Sequence, residues 1–85
     1  MTVTIRYFAW LRERIGHAEE RVDPPAEVTT IGALTDWLAT RSPAHANAFA
    51  QRAVIKTAMD QQFVSADTPI AGAHEIAFFP PFTGG

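Results

Sequence analysis

The chain of 85 residues contains no cysteine. That excludes a disulfide framework, a thiolate metal site and a thiol nucleophile, and it fits a reducing compartment. Charge is also scarce. Seven Lys and Arg against nine Asp and Glu leave a formal net charge of -2. With no basic run, this balance argues against nucleic acid as a partner. No apolar run approaches the roughly 20 residues of a membrane helix, so no membrane partner is expected. Met1 to Arg6 lacks the charged start and apolar run of a signal peptide, so the expected setting is the cytoplasm. Gly16, Gly32 and Gly72 form no phosphate loop, and Ser42 and Ser65 lack the context of a hydrolase nucleophile. His17, His45 and His74 stand far apart without metal-ligand spacing. They are read as solvated, with no metal site expected. No self-contained active site and no bound cofactor is foreseen.

What is present is an ordinary globular composition, 47% apolar and 19% charged, in a chain of one-domain length. Residues 2–8 alternate, with Val3, Ile5 and Tyr7 on one face and Arg6 and Phe8 on the other, which predicts a half-buried strand. Trp10, Leu11 and Ile15 then predict a short helix closed by Gly16. Glu19 to Val22 reads as an edge strand. Thr29 or Thr30 caps the main helix, whose stripe is Ile31, Leu34, Trp37, Leu38 and Arg41, with Ser42-Pro43 as its stop. Residues 44–52 read as a turn of helix or an irregular connector. Val54 to Met59 and Phe63-Val64 predict a hairpin turning at Asp60-Gln61-Gln62. Glu75 to Phe79 is the last strand, with Ile76 and Phe78 inward and Phe79 outward.

This order predicts an α+β domain over residues 1–79: a ubiquitin-like β-grasp, a mixed sheet of four to five strands with one main helix packed across it. In that fold the first and last strands are central, parallel neighbours. Arg6, Phe8 and Phe79, joined by Phe63 from the hairpin, then share the sheet face away from the helix, an apolar patch that marks a partner surface.

Residues 80–85 read as an extended tail. Pro80 and Pro81 cannot donate backbone hydrogen bonds and stiffen the path. Phe82 and Thr83 set the approach, and Gly84 and Gly85 can thread a passage too narrow for a side chain. The chemistry left to such a chain belongs to a carboxylate on Gly85. A carboxylate is a poor acyl donor. Joined to AMP it gains a good leaving group, and a sulfur nucleophile displaces AMP to leave a thiocarboxylate. The chain carries no ATP-binding motif, so ATP belongs to a separate activating enzyme.

The ending Phe78-Phe79-Pro80-Pro81-Phe82-Thr83-Gly84-Gly85 resembles that of the molybdopterin synthase small subunits, the MoaD-type sulfur carriers of the MoaD/ThiS superfamily. Ile5-Arg6-Tyr7-Phe8-Ala9-Trp10-Leu11-Arg12-Glu13-Arg14-Ile15-Gly16 resembles their first strand and short helix. The resemblance implies molybdenum cofactor biosynthesis. Gly85 would be adenylated by a ubiquitin-activating-like adenylyltransferase, loaded from a sulfur donor through a transient acyl-AMP, and inserted into the large subunit of molybdopterin synthase. There sulfur passes to the cyclic pyranopterin precursor, within a heterotetramer of two small and two large subunits. It also implies partner contacts at Phe8, Phe63 and Phe79. Met59-Asp60 and Ala73-His74 depart from the residues that many relatives carry at these places. Alternatives are a carrier for thiamine or another sulfur product, a ubiquitin-like modifier joined to lysines through Gly85, and an interaction domain with an idle tail. Paired prolines favour the molybdenum pathway over thiamine.

Overall fold

The computed structural model describes residues 1–81. Strand β1 (Val3–Tyr7) alternates as expected: Val3, Ile5 and Tyr7 are buried and Arg6 is exposed. Its run of β-branched residues suits a pleated, half-buried surface. Helix α1 (Trp10–Ile15) buries Leu11 and Ile15. Gly16 ends it in the left-handed region at φ 100°, its N–H donating to the Arg12 carbonyl at 2.9 Å. Strand β2 (Glu19–Val22) follows.

Helix α2 (Ile31–Ala39) is capped by Thr30, whose hydroxyl accepts the Ala33 N–H at 3.2 Å. It buries Ile31, Leu34, Thr35 and Leu38. The Thr35 hydroxyl donates to the Ile31 carbonyl at 2.8 Å, so its burial leaves no unpaired group.

Two expectations change here and one alternative is settled. Helix α2 stops at Ala39, so Arg41 does not extend its stripe; the guanidinium instead lies 5.0 Å from the Trp37 ring and 3.6 Å from Glu20. Ser42-Pro43 is a start as well as a stop. Ser42 Oγ accepts the His45 N–H at 3.1 Å and Pro43 fills the first turn of α3 (Pro43–Ala48). The alanine-rich connector is therefore a helix, with Ala48 and Phe49 in the core. A 3-10 turn over Arg52–Val54 then delays the next strand, so β3 is Lys56–Met59.

Strand β4 (Gln62–Val64) returns through Asp60 and Gln61, whose φ values of 48° and 72° match the two left-handed positions of a tight hairpin turn. Strand β5 (Glu75–Phe79) completes a five-stranded sheet in the order β2-β1-β5-β3-β4. Strands β1 and β5 pair in parallel at its centre, and the other pairings are antiparallel. This is the β-grasp arrangement. The helices cover one face, where Ile5, Tyr7, Ile76 and Phe78 meet Leu11, Leu34, Leu38 and Phe49.

The two departures from the relatives' pattern meet in space. The Asp60 carboxylate accepts the Glu75 N–H at 2.9 Å and the His74 N–H at 3.1 Å, tying the hairpin to the entry of β5. The Glu75 N–H, reinforced by that of His74, holds the Asp60 carboxyl below the usual carboxylate range despite some desolvation. A depressed folded-state value contributes stability above the ordinary Asp value and loses it as pH falls through the folded one. Asp60→Asn, which keeps the turn shape, is expected to lower the melting temperature at pH 7. The gap from wild type should close on acidification below about pH 4. Melting curves across pH measure this; a gap independent of pH rejects the clamp.

Candidate functional site

The parallel register of β1 and β5 places Arg6 beside Ala77 and Tyr7 beside Phe78. Strand side chains alternate, so the two pairs lie on opposite faces of the sheet. Tyr7 and Phe78 enter the core, while Arg6 and Ala77 face away from the helices. Ala77 pairs across with Ala58, and Ala58 with Phe63. A row Arg6, Ala77, Ala58, Phe63 thus crosses the open face. Its two central residues are small, and the aromatics stand around them.

Phe79 is the middle of the aromatic group. Its ring packs edge-on against Phe8 at 6.1 Å and against Phe63 at 5.5 Å. The Arg6 guanidinium lies 5.3 Å from the centre of the Phe8 ring and 3.5 Å from the Glu75 carboxylate. Phe63 is 70% exposed and Phe8 40%, both large for apolar side chains, and no element among the described residues covers them. A groove of about 650 Å³ runs over this face and reaches Pro80 and Pro81. The structure therefore brings together Arg6, Phe8, Phe63 and Phe79, and sets the two prolines beside them. Phe82, Thr83, Gly84 and Gly85 lie outside the described residues.

The groove also uses Glu75 and Ala77, which alternation along β5 puts on the open face with Phe79, and Ala9, Ala58 and Gln61, which sequence reasoning passed over. Ala58 and Ala77 carry no chemical signal, and only strand register makes them a floor. Ala9 sits at φ 54°, ψ -131°, a conformation uncommon for any residue with a Cβ. Strain of this kind costs about 1–3 kcal/mol and collects at functional sites. It turns the chain sharply from β1 into α1, directly after Phe8.

One histidine, His45, differs from the expectation of solvated rings. His74 is exposed, but His45 is buried and His17 stands against it, their ring centres 6.2 Å apart. His45 Nε2 lies 2.7 Å from Glu20 Oε2, and the Tyr7 hydroxyl donates to the same oxygen at 2.7 Å. Burial alone favours the neutral Glu20 acid. The His45 and Tyr7 hydrogen bonds, with the His45 and Arg41 charges, outweigh it and hold the carboxyl below its ordinary value. Burial first, and then Glu20, push the Tyr7 phenol well above its usual range. The sequence gap between His17 and His45 concealed this cluster, because the region of His45 was read as a turn of helix or an irregular connector with nothing to show which way its side chains face.

Fold and face together define a β-grasp domain that offers an aromatic open sheet surface at the root of its final segment. Comparison with known proteins makes the class definite: residues 5–85 match the ThiS family, and the chain belongs to it. It is 34% identical to the molybdopterin synthase sulfur carrier subunit of Escherichia coli K12, over 98% of this chain and 99% of that protein. Among solved structures, Haloferax volcanii small archaeal modifier protein 1 matches with a TM-score of 0.74 at 26% identity, covering 95% of this chain and 98% of that one. A putative molybdopterin converting factor, subunit 1, from Pyrococcus furiosus shares the fold, with a TM-score of 0.74 at 22% identity over 96% and 99% of the two chains.

The two faces of the sheet should respond oppositely to truncation. Phe78→Ala removes a fully buried ring and is expected to cost about 3–5 kcal/mol. Phe63→Ser should stay within about 0.5 kcal/mol of wild type. Denaturant unfolding measures both, and a large loss at Phe63 would mean that the open face is a second core.

Proposed function

We propose that this chain is a sulfur carrier for molybdopterin synthesis and that it delivers sulfur from a thiocarboxylate on Gly85. The observation that carries this reading is the near-full-length match to a protein named as the sulfur carrier subunit of molybdopterin synthase. The aromatic open face supports it, because a carrier without its own active site needs a surface on which larger enzymes dock.

In this reading a ubiquitin-activating-like adenylyltransferase joins the Gly85 carboxylate to AMP and releases pyrophosphate from ATP. A sulfide-level sulfur nucleophile from a donor then attacks the acyl carbon and expels AMP, leaving the thiocarboxylate. The carrier next docks on the large subunit of molybdopterin synthase, in an assembly of two small and two large subunits, and the tail reaches the pterin precursor. Phe79 anchors the contact, Phe8 and Phe63 widen it, and Arg6 marks its charged edge. Pro80 and Pro81 direct Phe82, Thr83 and Gly84 toward the partner's pocket, with no backbone donor at the two proline positions.

The likeness to a small archaeal modifier favours a second reading, in which the Gly85 acyl group passes to lysine amines instead. The two readings part at the product. Incubation with the activating enzyme, ATP and a sulfur donor is expected to replace one oxygen by one sulfur in the intact mass. Deletion of Gly85 should abolish the shift while leaving the fold unchanged. Lysine conjugates without sulfur loading would support the modifier reading and reject the carrier.

Phe79→Asp puts a charge at the centre of an apolar contact. It is expected to weaken binding to the large subunit by about 2 kcal/mol or more, with little effect on folding. Calorimetric titration reads the first and thermal melting the second. Unchanged affinity would remove Phe79 from the interface.

A further inference from the structure

The carrier reading makes no use of the cluster on the helix-covered side of the sheet, where β2, α3 and the loop after α1 converge. His17 comes from that loop, Glu20 from β2 and His45 from α3, and their three donor atoms lie within 4.8 Å of one another. We propose that His17, Glu20 and His45 bind a divalent transition-metal ion of the zinc class, with solvent completing the coordination.

The donor set is two imidazoles and one carboxylate, which suits borderline ions and keeps a fourth position open. A tetrahedral ion with bonds of roughly 2.0–2.1 Å sets its ligand atoms about 3.3 Å apart. His17 Nε2 stands 3.5 Å from Glu20 Oε2, already near that spacing. His45 Nε2 stands 2.7 Å from the same oxygen, so a small opening of this pair admits the ion.

The surroundings orient the donors as outer partners orient metal ligands. Ser42 Oγ lies 2.7 Å from His45 Nδ1. With a proton on Nδ1 donated to Ser42, the Nε2 lone pair is free for the ion. Ser42 Oγ also accepts the His45 backbone N–H, so ring and helix start are held by one hydroxyl. The Tyr7 hydroxyl fixes Glu20 from the core side. Exposure is graded: the His45 side chain is 8% accessible, Glu20 15% and His17 45%. The inner ligands are held rigidly and the outer one opens the site to solvent, which gives the ion an entry path. Arg41 opposes the ion. Its guanidinium lies 3.6 Å from the other Glu20 oxygen, leaving Oε2 to the three-donor side. Removing its charge should therefore strengthen binding.

The experiment is calorimetric titration of the chelator-treated full chain with Zn²⁺ at neutral pH, alongside imidazole resonances followed by NMR. One ion per chain is expected, with ring signals of His17 and His45 shifting and that of His74 unmoved. His17→Gln, an exposed substitution that spares the core, should weaken binding about tenfold or more. Arg41→Gln should tighten it severalfold, and His74→Gln should leave it unchanged. No saturable binding overturns the proposal. So does binding that persists in His17→Gln, or that disappears in His74→Gln and thus belongs to the exposed His74 and Asp60 pair. The ring shifts in the unsubstituted protein decide the matter even if a variant folds poorly.

Discussion

The parallel pairing of β1 with β5 is the constraint on which the rest of the structure depends. These two strands come from opposite ends of the described chain and occupy the centre of the sheet. Parallel strands cannot be joined by a tight turn, so everything between them has to form the crossover. Their register sends Tyr7 and Phe78 into the core together and leaves Arg6 and Ala77 together on the other side. A slip of one residue would bury the groove and expose the core. The aromatic face is thus a consequence of how the core is paired, and Phe79 belongs to the surface because Phe78 belongs to the interior.

The two faces divide the work. On the covered face, Phe78 packs edge-on against Phe49 at 5.1 Å, and Tyr7 lies close to both. That contact ties the last strand to the region just after α3 and holds β5 up to its final residue. On the open face, Phe79 lies between Phe8 and Phe63. One strand therefore ends in two adjacent rings, one locked in a core and one offered outward. The chain therefore reaches Pro80 from a fixed point.

The polar cluster around Glu20 is a second point of convergence. Tyr7, His45, His17 and Arg41 all reach this carboxylate from different elements. Burying it is tolerable because every neighbour either donates to it or offsets its charge. Edge strand β2 is thereby tied to α3 through side chains as well as to β1 through its backbone. None of this is visible in composition. Glu20 sits in a short polar stretch that reads as a wet edge, and His45 sits in an alanine-rich run whose helix depends on the Ser42 cap and Pro43 at its first turn.

Local chemistry determined much of this protein directly. Alternation in β1 and β5 settled which residues turn inward, the Thr29-Thr30 pair and Gly16 marked helix ends, and the proline pair marked where the last strand must stop. Each of these rests on the backbone of a few neighbouring residues, so sequence alone carries it. Tertiary structure decided what distant segments do to one another. It made a groove floor of Ala58 and Ala77, joined Asp60 to the start of β5, ended α2 before Arg41, and drew His17 and His45 onto one carboxylate. Those outcomes depend on register and crossing geometry across tens of residues, where no local pattern distinguishes a solvated histidine from a buried one.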